Sequence, residues 1–359
     1  MNYSSDLSNR LDKGMSSRIV IVRSLPGLGD LLCLVPALRA LRNAFPAATM
    51  TLIGLPQTHQ LMTRFRHCID NWLEFPGYPG IPEVPFIAYK TLAFLTQVQQ
   101  LKFDLALQMH GNGSCINSFA LLLGAKQTAG CYPANGVCPD PNLFLPYPEQ
   151  EPEIWRHLSL LKFLGIPLQG EQMEFPLEAE DEKMFTAIAA KYQLIEGRYI
   201  CIHPGANHPT RRWHTRHFAT VADRLATQGW QIVLTGTQSE RTLTQQVSRL
   251  MHASAVNLAG ETNLGVMAVL LQRSRLLISN DTGVSHLAAA LAIPSVVVFS
   301  NSDPHRWAPL DRQLHRVVSV SRNGLTSQPE LKVNSDPASV TRVLSEAAEL
   351  LQQEVAYAY

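Results

Sequence analysis

Charged side chains are scarce. Asp, Glu, Lys and Arg supply 16% of the 359 residues, against roughly a quarter in an average soluble domain. They nearly cancel, leaving a formal charge of +1, so there is no basic excess to meet a nucleic-acid backbone. No apolar run is long enough to span a bilayer. Cys33, Cys68, Cys115, Cys131, Cys138 and Cys201 are dispersed, with no Cys-x-x-Cys pair. That argues against a disulfide framework and a structural zinc site, and it fits reduced thiols in a cytoplasm. There is no Asp-x-Asp pair, hence no obvious seat for a bridging divalent metal, and none is expected. Residues 1–17 are polar and lack the apolar core of a signal peptide. They are expected to form a disordered leader on a cytoplasmic protein.

What is present is apolar: 46% of residues are hydrophobic, and the length is too great for one ordinary core. Short buried-type strands alternate with helical stretches. In the first half the strands are expected at 18–23, 49–55, 69–75 and 104–109. Helices are expected at Leu31–Ala44, His59–Arg66 and Ile87–Gln99, and an irregular Pro-rich excursion at Gly130–Glu153. In the second half strands are expected at Tyr199–His203, Trp230–Thr235, Val256–Leu258, Leu276–Ile278 and Ser295–Phe299. Such alternation implies α/β structure with parallel, doubly wound sheets. The expected division is 18–168 for a first Rossmann-like domain and 169–177 for a linker. A second such domain follows at 178–336. A final amphipathic helix at 337–359, capped by Asp336, could cross back to the first domain.

Two loops hold the chemistry. Ser279-Asn280-Asp281-Thr282-Gly283 joins a buried strand to an Ala-rich helix. The first helical amides, Thr282 to Ser285 with Gly283 and Val284 between them, sit at the positive end of a helix dipole and suit phosphate. Asp281 would repel phosphate and is expected to face neutral hydroxyls such as those of a sugar. In the first half, Gly27-x-Gly29 follows the first strand, which invites a dinucleotide reading. Leu32 replaces the third glycine, no acidic residue closes the second strand, and Asp30 would oppose a pyrophosphate. A nicotinamide site is therefore disfavoured.

The string Asn280-Asp281-Thr282-Gly283-Val284-x-His286 resembles the C-terminal motif of the family 9 glycosyltransferases, the heptosyltransferase-like enzymes of lipopolysaccharide core assembly. Gly29-Asp30 with Pro36-Ala37-Leu38 resembles their N-terminal motif. His203-Pro204-Gly205-Ala206, basic residues before Trp213, Gly236-Thr237 and Ala259-Gly260-Glu261-Thr262-Asn263-Leu264 follow the family order. The resemblance implies a GT-B type fold, two Rossmann-like domains facing a cleft. It also implies inverting, metal-independent transfer of a heptose-type sugar from a nucleoside diphosphate donor, ADP-heptose first, to a lipid-linked saccharide acceptor. No cofactor is expected, and peripheral contact with the cytoplasmic membrane face stays open.

Residue by residue, the resemblance makes Asp30 the catalytic base, with Gly29 and His110 on the acceptor side. Arg211 or Arg212, Gly205, Thr282, Gly283 and Val284 would hold the diphosphate. Asp281 and His286 would hold the sugar, and Thr237, Glu261 and Thr262 the nucleotide. Cys33 stands where some members carry histidine. A nucleotide-sugar-binding module without turnover remains the alternative.

Overall fold

The computed structural model describes Leu11, residues 17–320 and residues 337–353. The expected leader, Leu11 and Ser17 apart, and the expected cap Asp336 lie outside the described residues. The chain divides into two compact units, Met1–Gln172 and Met173–Tyr359.

The first unit is built on β1 (Arg18–Val22), β2 (Thr49–Gly54), β3 (Asn71–Glu74), β4 (Leu105–Gln108), β5 (Gln127–Tyr132) and β6 (Phe144–Pro146). All pair in parallel, in the order β3-β2-β1-β4-β5-β6. The helices are α1 (Leu28–Leu32), α2 (Val35–Ala44), α3 (Pro56–Met62), α4 (Ala88–Gln100), α5 (Ile116–Leu122) and α6 (Glu153–Phe163). Ile19 to Val22 are fully buried, as a central parallel strand covered on both faces requires. The Pro-rich excursion was expected to be irregular, but it contains the end of β5 and all of β6. Their Gly, Thr and Pro content hides them from a hydrophobic pattern. The single helix expected at Leu31–Ala44 begins earlier, at Leu28, and breaks at Cys33–Leu34. Pro36, the second residue of α2, has no N–H for the Leu32 carbonyl and its ring crowds that group.

The second unit repeats the plan. Its strands are β7 (Tyr199–His203), β8 (Gln231–Leu234), β9 (Val256–Asn257), β10 (Leu276–Asn280), β11 (Ser295–Phe299) and β12 (His315–Ser319). They are parallel, in the order β12-β11-β10-β7-β8-β9. The helices are α7 (Ala179–Tyr192), α8 (Thr215–Ala226), α9 (Arg241–Leu250), α10 (Leu264–Gln272), α11 (Gly283–Ala290), α12 (Pro304–Trp307) and α13 (Pro337–Gln352). The edge strand β12 carries His, Arg and Ser and was not expected from its sequence. Val343, Ala347 and Leu350 put one apolar face of α13 into the core of this unit. The helix expected to return to the first domain thus packs on β10, β11, β12 and α8 of the second.

Both sheets reverse direction beside their first strand: at β1/β4 and at β7/β10. Helices leave to opposite faces there, opening a crevice at the carboxyl ends of the strands where ligands bind in such sheets. The motif loops of the sequence stand at these two points.

Candidate functional site

At the first switch point one buried arginine organises the loops. Arg23 directly follows β1 and is 2% exposed. Its Nη1 donates to the Met109 carbonyl after β4 at 2.8 Å. Its Nη2 donates to Asp30 Oδ1 at 3.2 Å and to Glu153 Oε1 at 3.1 Å. Glu153 is the first residue of α6 and equally buried; the helix N-terminus favours its negative charge. Arg156 Nη1 lies 3.6 Å from Glu153 Oε2. This buried charge is therefore shared among carboxylates and cations rather than isolated. Gly111, Cys131 and Tyr147 join Arg23, Glu153 and Arg156 around a cavity of about 10 Å³, room for roughly one water-sized group.

Asp30 lies in the first turn of α1, whose cap position is Gly27. It is not the helix cap. Its side chain is 20% exposed, the most accessible acid of this cluster. A Cβ at Gly27 would overlap the Asp30 carboxylate, so the glycine makes room for it. Gly29 is buried beneath the same turn. His110 is buried and its Nδ1 lies 3.0 Å from Ser24 Oγ, with the Ser24 amide donating to the same nitrogen. Burial, and then the Arg23 charge, push His110 down to about 4, so it is neutral at pH 7. A histidine turned inward on Ser24 ties the two strand exits together.

At the second switch point Asn280 has the tying role. It is fully buried. Its Nδ2 donates to the carbonyls of Pro204 and Gly205, and its Oδ1 accepts from the Trp213 amide. One amide thus fixes the exits of β7 and β10 and the basic loop. Arg212 donates twice to the Ala206 carbonyl, at 3.0 and 2.9 Å. Arg211 instead extends outward, 41% exposed, with Nη1 3.8 Å from Asp281 Oδ2.

The helix α11 corrects the expectation of four open amides. The Ser285 hydroxyl accepts from the Thr282 amide and donates to the Thr282 carbonyl, and the Ser285 amide bonds to the same carbonyl. Among the described residues, Gly283 and Val284 keep the first-turn amides that this turn leaves open. Asp281 is 3% exposed, and its Oδ2 is a buried acceptor without a hydrogen bond among the described residues. His286 Nε2 lies 3.9 Å from Asp281 Oδ1, and its ring meets Trp307 edge-on at 6.1 Å.

The remaining expected residues are placed less evenly. The Thr237 amide and hydroxyl both donate to Glu240 Oε2, and this carboxylate fills the space over Gly205. A phosphate against the Gly205 backbone would meet a like charge. Burial lowers the nearby His203, opposed by Glu240. Glu261 accepts from Tyr192 Oη at 2.7 Å and Lys191 Nζ at 3.2 Å, and the Tyr192 bond leads the causes lowering its carboxyl. It is engaged with α7; Thr262 beside it is half-buried. Arg23, Glu153, Glu240 and Trp307 were missed as site residues. The signal for Arg23 was available: an arginine directly after the apolar run Ile19–Val22 needs a buried partner.

Two switch-point crevices, one bearing a carboxylate and the other open amides and an arginine, define the class: a two-unit α/β protein of the GT-B type. The model of glycosyltransferase family 9 (heptosyltransferase) matches residues 92–335, and the chain belongs to that family. It is 30% identical over 177 residues to lipopolysaccharide heptosyltransferase 2 of Escherichia coli K12, covering 46% of this chain and 50% of that protein. It is 35% identical over 118 residues to lipooligosaccharide heptosyltransferase 2 of Haemophilus ducreyi, covering 31% of this chain and 34% of that one. The aligned part spans about half the length of the first of these curated relatives. Among solved structures, a family 9 glycosyl transferase from Veillonella parvula superposes with a TM-score of 0.76 at 20% identity. That match covers 96% of this chain and 99% of that one. The ADP-heptose lps heptosyltransferase II of E. coli gives 0.70 at 21% identity over 94% and 100%.

Proposed function

We propose that the chain is an inverting, metal-independent glycosyltransferase. It moves a heptose-type sugar from a nucleoside diphosphate donor, ADP-heptose, to an acceptor of lipopolysaccharide-core type. The observation that carries the reading is the second switch point. Arg211 and the Gly283 and Val284 amides suit a diphosphate, beside a buried carboxylate oxygen of Asp281 that suits a sugar hydroxyl. Arg212 shapes the loop from behind. His286 lines the sugar side with Trp307, and Glu240, held by Thr237, suits ribose hydroxyls better than phosphate. Glu261 and Thr262 border the nucleotide more remotely.

Asp30 accepts the proton of the acceptor hydroxyl as its oxygen bonds to the anomeric carbon. The bond from that carbon to the diphosphate breaks on the opposite face, through an oxocarbenium-like state. The electron pair leaves on the diphosphate oxygen, where Arg211 and the two amides meet it. The acceptor's lipid places the enzyme at a membrane surface, and α4 offers the contact. Phe86, Ile87, Tyr89 and Leu92 are exposed there. Residues 84–103 contain Lys90 and Lys102 and no acid, which suits an anionic lipid face.

The test is Asp30→Asn, assayed for transfer from ADP-heptose. Turnover is expected to fall about a hundredfold or more, as for a lost general base, with ADP affinity by calorimetry unchanged. Wild-type turnover would remove Asp30 from the mechanism.

A further inference from the structure

Arg23 presents a single guanidinium nitrogen to two carboxylates, Asp30 at 3.2 Å and Glu153 at 3.1 Å. The two acids are 123 residues apart in the chain, and only the fold makes them rivals for one cation. Glu153 is inaccessible, at 2% exposure, while Asp30 reaches the crevice. If Arg23 served Asp30 alone, its full charge would hold that carboxylate ionised and make it a poor proton acceptor.

We propose that Glu153 is a positioning residue for Asp30: by drawing off part of the Arg23 charge, it leaves Asp30 oriented by the guanidinium yet basic enough to take the acceptor's proton. The inference rests on the reading of Asp30 as base. Among the described residues, the other charged or titratable groups around the pair include Cys131, whose thiol burial pushes up to about 12 and so keeps protonated. Arg156 and His157 on α6 lie 3.6 and 3.7 Å from Glu153. Tyr147 is occupied as partner of Arg156 Nη1. His110 beyond the strand exit is neutral. On α2, which packs against α6, Arg39 donates to the Gln172 carbonyl and Arg42 pairs with Asp70.

Among the described residues, the cations close to this carboxylate pair include Arg23, between the two acids, and Arg156, beside Glu153. Removing the Glu153 charge makes the cluster beside Asp30 more positive by one unit and leaves Arg23 Nη2 with one carboxylate fewer. The experiment is the pH profile of transfer in Glu153→Gln. The acid limb should move to lower pH by about one unit, and the plateau should drop roughly threefold as the weaker base acts. KM for the donor should stay within about twofold. A merely structural role would change melting temperature or plateau and leave the limb in place.

Glu153→Asp keeps the buried charge but sets it one methylene further from Arg23, so it serves if the glutamine variant does not fold. Its limb should move the same way by less. An unmoved limb in either folded variant, with Asp30→Asn inactive, overturns this inference alone. Full turnover in Asp30→Asn overturns the base and this inference with it.

Discussion

Arg211 and Arg212 are neighbours of the same type with opposite environments. Arg212 spends its guanidinium on the Ala206 carbonyl, while Arg211 is 41% exposed and held at 3.8 Å from Asp281. The long, half-exposed pair is worth little to stability. Arg211→Ala is therefore expected to weaken ADP binding by about tenfold or more, from loss of a charge-assisted contact, and to leave the melting temperature within a degree or two. Arg212→Ala should do the reverse, lowering the melting temperature by loosening a loop carbonyl. Calorimetric titration and thermal unfolding of both variants read this directly; equal effects would contradict the division of labour. The sequence presents the two residues identically, because nothing in a basic pair states which member has a carbonyl within reach.

Among the elements, α4 departs most from what a surface helix needs. Its inner face is ordinary: Thr91, Leu95 and Val98 are buried at helical spacing. Outside, Tyr89 is 69% and Leu92 64% exposed, one turn apart and flanked by Phe86 and Ile87. Exposed apolar groups singly need no explanation, but a contiguous aromatic and aliphatic set marks a contact surface. The helix should bind vesicles containing anionic phosphatidylglycerol better than neutral phosphatidylcholine ones. The double variant Tyr89→Ser, Leu92→Ser should lose several-fold of that binding in flotation, with its circular dichroism unchanged. Undiminished flotation would discard α4 as the contact. The position of this helix was legible in the sequence from its period. Its exposure was not, because Phe94, two residues past Leu92 and so on another face of the same helix, packs against the core and reads the same in the pattern.

At the scale of the whole molecule, buried histidines couple stability to pH. Burial pushes His110 down to about 4, with Arg23 adding to it, and His315 down to about 4, with Asp311 opposing. His203 shifts the same way. An unfolded chain titrates these rings near ~6.5, so between about 6.5 and 4 the unfolded state binds more protons. Stability is then full above the unfolded value and falls as the pH drops through that window. The urea midpoint should decline from pH 7 to pH 4.5. His315→Asn, which can still meet Ser295 Oγ, the partner of Nδ1 at 2.9 Å, should flatten the decline while lowering the midpoint at pH 7. An equal slope in this variant would assign the acid sensitivity elsewhere.

The amino-acid sequence by itself determined the two-unit α/β plan, since apolar strand runs punctuated by Gly, Pro and Asp recur at the period a doubly wound sheet demands. It also marked Asp30, Asp281 and the Gly283 turn, because local loop chemistry is written in adjacent residues. It missed β5, β6 and β12, short or mixed-polarity strands that are fixed by neighbouring strands rather than by their own pattern. Only the tertiary structure joined Arg23 to Glu153 and Asn280 to Trp213, because those contacts link residues 130 and 67 positions apart. Charge sharing across such distances depends on where β1, α6 and β10 end in space, which no local pattern encodes.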